Sequence, residues 1–349
     1  MNGIRFVHTD HLRLAESIAG LAAAPDWLRR LARDATRGAV SRIFDIAITQ
    51  NVDFVLIGAI CGQADAFHSS VIRWLEAPVE KLREHGIQVV IAATRHPESK
   101  LPADYIIQSD ECLYATRNAN RVQLTVGRAD LPLESELAIG TASSGVSSRA
   151  KCSYLIRSGI RYSIGASHDH SPVYSAGAPQ SHGPHEQGEF GCLVAEANPD
   201  TAQIDVVFEP TDPLRFETRR IQKSSIITSQ DIADAIIEES RAMARRQRRT
   251  TIVDWFFDSP FECTGAIDSW REENILKSVR STLQKGHLGV WPRRIKITAS
   301  DVRLADPFDS QAAHELASLL FDNTGDTNQR TTAAFAELVT GTRLLRQAA

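Results

Sequence analysis

The chain has no pair of cysteines in C-x-x-C spacing, and its five cysteines (Cys61, Cys112, Cys152, Cys192 and Cys263) are odd in number and widely spread. That argues against a zinc ribbon and a disulfide framework, and makes a reducing cytoplasm the expected home. Long apolar runs are missing too. The longest, Phe54 to Cys61, is far too short to cross a bilayer, and the opening residues hold no apolar stretch of the export-signal kind, so no membrane partner is expected. There is no excess of positive charge. Lys and Arg number 39 against 43 Asp and Glu, a net charge of -4, which argues against an autonomous nucleic-acid binder with a strongly basic surface and leaves room for a local basic patch. Internal repeats, low-complexity tracts and a G-x-S-x-G nucleophile elbow are absent. The stretch Gly140-Thr-Ala-Ser-Ser-Gly-Val-Ser147 has the spacing of a P-loop but puts Val146 where the phosphate-binding lysine must stand.

What is present is ordinary globular material: 349 residues, 42% hydrophobic and 23% charged, enough for two domains with real cores. Ile4–Thr9 reads as a strand. From Trp27 to Gln50 the apolar residues Leu28, Leu31, Ala35, Ile43, Phe44 and Ala47 follow one helix face, with Asp26 as the expected N-cap. The runs 53–58 and 87–93 read as strands buried on both faces, with a helix through Phe67, Val71, Leu75, Val79 and Leu82 between them, ending at Gly86. This alternation predicts a layered α/β domain with parallel strands. Short strands are expected at 105–108, 122–126, 136–140 and 161–165, followed by antiparallel strands at 191–197 and 204–209. They close a first domain near residue 222. A smaller α+β unit, 223–300, is expected to hold helices at 229–246 and 270–284 and strands at 251–257 and 294–298. Two amphipathic helical patterns occupy 301–349.

Several of these segments, in order, resemble the SbcD-like DNA repair exonucleases of the calcineurin-like metallophosphoesterase superfamily. Arg5-Phe-Val-His-Thr9 with Asp10-His-Leu-Arg-Leu14 is similar to the family's opening His-Thr-x-Asp-x-His-Leu strand, and Val52-Asp-Phe-Val-Leu-Ile-Gly58 to the lead-in of its Gly-Asp motif. Gly86-Ile-Gln-Val-Val-Ile-Ala92 resembles the strand before Gly-Asn-His, and Gly159-Ile-Arg-Tyr-Ser-Ile-Gly165 the approach to Gly-His-x-His. Tyr174-Ser-Ala-Gly-Ala-Pro-Gln180 and Gly188-Glu-Phe-Gly-Cys-Leu-Val194 are similar to the Pro-Gly-Ser-Pro turn and its following strand. The resemblance implies a four-layer α/β/β/α sandwich, a small C-terminal α+β cap, two manganese or other divalent ions, and a helical tail that docks on an SMC-like, SbcC-type ATPase.

The ligand positions that the resemblance implies depart from the pattern. A two-metal centre holds its ions about 3.5–4 Å apart and needs carboxylate and imidazole ligands, one carboxylate bridging. Alignment puts His11 where the first Asp belongs, Arg13 where a His belongs, and Ile60 at the bridging carboxylate. Arg95 stands for the catalytic His, with His96 one position out of register. Thr141 falls where another His is expected, and only His168 lies at an expected ligand. A shifted set of Asp10, His11, Asp65, His96, His168 and His170 is the competing arrangement. The loop histidines His168, His170, His182 and His185 offer a single-ion site or a solvated insertion. Arg241, Arg245, Arg246, Arg248 and Arg249 offer a phosphate-contacting patch, or cations opposing a helix dipole. Trp255, Trp270 and Trp291 are expected in the core or at a domain interface, rather than as base-stacking platforms.

The expectation is therefore a homologue that has lost two-metal hydrolysis and serves as a subunit or scaffold with an SMC-like ATPase, and with DNA. A working manganese-dependent exonuclease or phosphoesterase with an unusual ligand set is one alternative. A module that binds a phosphorylated ligand through Arg13 and Arg95 is another. A homodimer is compatible with each.

Overall fold

The structure is a computed structural model, and it describes residues 3–58, 69–92, 103–107, 112–117, 120–125, 137–141, 152–157, 159–166, 172–222, 229–246, 249–259, 269–285 and 289–299. The expectations at Ile60, Asp65, Arg95, His96, His168, His170 and Arg248, and those for 301–349, lie outside the described residues. Met1–Asp258 with Gly265–Thr298 form one compact unit, and Ser259–Thr264 with Ala299–Ala349 another. Apart from Ser259 and Ala299, every described residue belongs to the first.

β1 (Ile4–Asp10), α1 (Asp26–Thr49), β2 (Phe54–Gly58), α2 (Ser69–Glu84) and β3 (Gln88–Ala92) give the β-α-β-α-β alternation, and β4 (Tyr105–Ile107) follows in parallel. Pro25, not Asp26, is the N-cap of α1. It leaves Asp26 in the first turn, where its carboxylate favours the helix N-terminus and pairs with Arg29. At the other end Asn51 takes the left-handed conformation (φ 49) that lets the chain leave the helix for β2.

β5 (Cys112–Arg117), β6 (Asn120–Thr125), β7 (Leu137–Thr141), β8 (Cys152–Ile156), β9 (Ser163–Ala166) and β10 (Pro172–Ser175) make a second sheet in the order β5-β6-β7-β8-β10-β9. β11 (Gly191–Asn198) then returns to the first sheet antiparallel to β1, and β12 (Gln203–Pro210) forms its edge, so that sheet runs β12-β11-β1-β2-β3-β4.

The two sheets face each other across an apolar layer. Ile4, Phe6, Phe54, Leu56, Val90, Leu193 and Ala195 come from the first sheet, and Val122, Leu137, Ile139, Tyr154, Ile156 and Tyr174 from the second. Phe6 stacks on Phe54 at 4.9 Å and meets Tyr154 edge-on at 5.0 Å, the offset and T-shaped geometries that ring quadrupoles favour. The far side of the first sheet packs on α1 and α2 through Val7, Val55, Ile57, Val89, Ile43, Phe44, Val79 and Leu82. Residues 54–58 are buried throughout, as a central parallel strand covered on both faces must be. The described residues thus stack as helix, sheet, sheet. The outer helical layer of the expected four-layer sandwich is not among them.

The third sheet holds β13 (Leu214–Gln222), β14 (Thr250–Ser259) and β15 (Val290–Ala299), with α3 (Ser229–Arg246) and α4 (Ser269–Lys285) on one face. Its other face packs Leu214, Phe216, Ile252 and Trp291 on Leu28, Ala32 and Ala35 of α1. Residues 214–222 therefore supply this sheet's first strand, upstream of 223, where the small unit was expected to begin. Trp255 and Trp291 are buried, Trp291 under the guanidinium of Arg280.

Candidate functional site at the exit of the first strand

β1 alternates strictly. Val7 faces the helices, while Ile4, Phe6, His8 and Asp10 face the second sheet, and His8, Thr9 and Asp10 are all fully buried. His8 lies 3.1 Å from the Tyr154 hydroxyl through Nδ1 and 3.2 Å from Asp10 Oδ1 through Nε2. With a carboxylate that only accepts at Nε2, that nitrogen would be the donor and Nδ1 would accept from the tyrosine hydroxyl. Burial, reinforced by the charge of Asp10 and then by Tyr174, pushes the Tyr154 phenol well above its ordinary pKa and keeps that donor protonated. The Asp10 backbone N–H donates to the Gly177 carbonyl at 2.9 Å. Asp10 Oδ2 and Thr9 Oγ1 have no hydrogen-bond partner among the described residues.

Two glycines make room for this arrangement. Gly58 sits opposite Asp10 in the β1–β2 ladder, and a β-carbon there would lie 2.1 Å from Asp10 Oδ1. Gly177 has φ +76 and faces the Tyr162 backbone, where a β-carbon would come within 2.6 Å.

Immediately after Asp10 the backbone turns through two non-glycine residues with positive φ, His11 (45) and Arg13 (50). Such conformations cost on the order of 1–3 kcal/mol each and persist where the surroundings over-determine them. At Arg13 the constraint is visible. Its Nε donates to Glu16 at 2.6 Å and its Nη1 to both carboxylate oxygens of Glu186 at 2.7 and 2.9 Å. Burial works against the guanidinium charge, but the hydrogen bonds it donates to Glu186 and then to Glu16 outweigh it and raise the pKa. Glu186 also accepts the His182 backbone N–H at 2.6 Å, so one carboxylate ties the β1 exit to the 182–188 turn. The His11 imidazole is pushed down in pKa, first by burial and further by Arg13, with Asp10 and Glu16 opposing.

His182 is buried against α1, its Nε2 3.2 Å from Thr36 Oγ1, whereas His185 is exposed. Burial, with a smaller contribution from Arg13, lowers the His182 pKa to about 4, so the ring is neutral at ordinary pH. The expected arginine patch divides. Arg245 and Arg246 are exposed in the last turn of α3, where they oppose the helix dipole. Arg249 instead donates to the Pro210 carbonyl at 3.1 Å and lies 3.6 Å from the buried carboxylate of Asp212, at the junction between the first sheet and the third.

The resemblance implies a pair of divalent ions near the exit of β1. Asp10 fits one requirement, a buried carboxylate with an unpartnered oxygen. Arg13 does not: a guanidinium clamped by two carboxylates occupies the position where the resemblance puts a metal-binding imidazole, and it repels a cation. Among the described residues no three His, Cys, Asp or Glu side chains converge as a metal-binding group. Ile60, Asp65, Arg95, His96, His168 and His170, the other positions at which the resemblance or the shifted set places ligands, lie outside the described residues. Among the described residues no helix has the length and apolarity to cross a membrane.

Sequence reasoning singled out Asp10, His11 and Arg13 but missed His8, Tyr154 and Glu186. The same-face spacing of His8 and Asp10 on a strand was a usable signal for the first. Tyr154 and Glu186 are distant in sequence, and only the fold brings them in.

No family model matches the chain, and no curated protein matches it. Among solved structures, the protein TT1561 of Thermus thermophilus is similar over 59% of this chain and 99% of its own, at 8% identity and a TM-score of 0.30, a likeness too slight to bear on function.

Proposed function

We propose that this chain is an SbcD-like homologue on a calcineurin-type metallophosphoesterase sandwich, that it has lost two-metal hydrolysis, and that it acts as a subunit or scaffold with an SMC-like ATPase and DNA. The observation that carries the reading is Arg13. At the exit of β1 its charge is fixed by Glu186 and Glu16, so the position is committed to an ion-pair network and is closed to a cation. The same pairing weighs against a phosphorylated-ligand module, because the Nε and Nη1 donors of Arg13 are already taken. The exposed Arg245 and Arg246 are the described candidates for phosphate contacts.

One observation favours a second reading, a working site with an unusual ligand set: the unpartnered Oδ2 of buried Asp10. Calorimetric titration of the full chain with manganese and with zinc, alongside a nuclease assay, decides between them. The scaffold reading expects neither two bound ions nor turnover. Two ions at micromolar affinity together with DNA hydrolysis would overturn it and establish the second.

A further inference from the structure

The outer face of α1 is charged against the helix's own stability. Arg30, Arg33 and Arg37 form an exposed stripe along it, and like charges at i,i+3 and i,i+4 repel. Cations favour a helix at its C-terminal end, yet the last turn of α1 holds none. Among the described residues no carboxylate comes within ion-pair distance of these three, whereas Arg29 beside them pairs with Asp26. Gly38 breaks a second local rule. It lies inside the helix on the same exposed face, its φ is negative, and a β-carbon there would meet nothing within 4 Å. Neither backbone nor packing requires a glycine at that position, although glycine weakens a helix relative to alanine. Tryptophans flank the stripe. Trp27, 36% exposed, lies one turn before Arg30, and the Arg37 guanidinium lies over Trp74 of α2 at 5.8 Å.

We propose that this face of α1 docks an acidic helix of a partner protein, with Gly38 letting the two backbones come close. Charge names the occupant. Three guanidiniums without a carboxylate span about 10 Å of helix axis at 1.5 Å per residue, the spread of carboxylates at i, i+4 and i+7 of a second helix. Arg and Trp are also the residues that carry most of the energy at protein–protein contacts. Asp34 lies exposed on the same face, one turn from Arg30 and from Arg37, and a nucleic-acid backbone, which offers only negative charge, would be repelled by it. A helix can set a neutral or basic residue against Asp34 and carboxylates against the arginines. Gly38 points the same way, because an unfilled glycine on an exposed helix face suits the close approach of another backbone. Residues that cost the free helix stability are then repaid in the complex.

The three arginines and Gly38 belong neither to the core nor to the network at the β1 exit, so substitution there leaves both intact. The probe is a fluorescein-labelled peptide of three Glu-Leu-Ala-Ala-Glu-Ala-Ala repeats, which sets glutamates at i, i+4 and i+7 of one helix face. Its control carries lysine for glutamate. Fluorescence anisotropy with the full chain over about 0.1–100 μM is the measurement, with circular dichroism to check folding. The wild type is expected to bind the acidic peptide in this range, and more weakly as salt rises from about 0.1 to 0.5 M. Arg30→Glu, Arg33→Glu and Arg37→Glu together are expected to weaken binding by at least about tenfold. Gly38→Gln is expected to weaken it by about fivefold while melting no lower than the wild type. The pair Arg245→Glu and Arg246→Glu, on α3, is expected to leave it unchanged. A wild type that does not bind the peptide overturns the proposal. So does a charge-reversed or Gly38→Gln variant that binds like the wild type, a lysine peptide that binds as well, or a loss as large in the α3 variant. Displacement of the peptide by an equal or lower concentration of duplex DNA overturns it too, by making the face a nucleic-acid surface.

Discussion

His182 couples local geometry to pH. Its imidazole is buried against Thr36 of α1, and its backbone amide is held by the carboxylate that clamps Arg13. Burial and Arg13 lower its pKa from 6.5 to about 4, so the folded protein disfavours the protonated ring relative to the unfolded chain. The contribution is full above pH 6.5, where both states are neutral, and is lost progressively as pH falls towards 4 and the unfolded state takes up the proton. A tenfold change in proton affinity is worth about 1.4 kcal/mol, so the loss across this window is up to about 3 kcal/mol. Urea unfolding at pH 7 and at pH 4.5 reads it. His182→Gln, which keeps a hydrogen-bonding group near Thr36 without a titrating ring, is expected to show a smaller drop between the two pH values. An equal drop in both proteins would assign the pH dependence to other groups. The residues at this corner are only partly legible in the sequence. Arg13 stands out because it replaces an expected imidazole, but its fixation by Glu186 depends on a contact spanning 173 positions, which no local pattern contains.

At the level of elements, segments with an uninterrupted apolar period are legible in the sequence. The helix 229–246 has the expected bounds, and β1, β3, β11 and β12 lie within a residue or so of expectation. The strands that the sequence hides have physical reasons to be hidden. In β13, Leu214 and Phe216 face α1 while Ile221 faces α3 and α4, so the apolar residues change parity partway and the period-2 signal cancels. β5 and β8 each mix cysteine, threonine or serine with their apolar residues and follow stretches with no clear period. The link between β12 and β13 is also invisible, since it rests on a buried charge cluster. Asp212 is fully buried and accepts from Arg215 Nε at 2.9 Å, and Arg215 reaches on to Glu189. Burial raises the Asp212 pKa, against the pull of Arg215 and Arg249. Removing one partner of a buried pair leaves the other charge uncompensated, at a typical cost of about 3–5 kcal/mol. Asp212→Ala is expected at the lower end of that range, because Arg215 keeps Glu189, and Asp212→Asn to cost less, since the amide retains an acceptor for Arg215 without burying a charge. Thermal unfolding of the two variants orders them, and an Asn variant less stable than the Ala variant would contradict this account.

For the molecule as a whole, the coupling between the large sandwich and the small sheet follows from where α1 lies. One stretch of that helix, through Val40, Ile43, Phe44 and Ala47, covers the first sheet, while its first turns, through Leu28, Ala32 and Ala35, cover Leu214, Phe216, Ile252 and Trp291. A single 24-residue helix therefore belongs to two apolar cores. The chain reads as two modules in sequence, with the alternating pattern first and the α+β pattern after it. Yet cutting between them near 222 would strip β13 of its partner β14 and expose the face that α1 covers. Two independent folding units would show separate transitions; a shared helix requires them to open together, because neither core can lose α1 without exposing its own apolar residues to water. Leu214 is fully buried in the shared core, so Leu214→Ala should cost about 2–5 kcal/mol. Native-state hydrogen exchange followed by peptide mass spectrometry should show protection falling by the same free energy in the first turns of α1, in β14 and in β2. Loss confined to β13 and β14, with α1 and β2 unchanged, would mean that the small sheet opens on its own and that the helix does not bind the two cores into one cooperative unit.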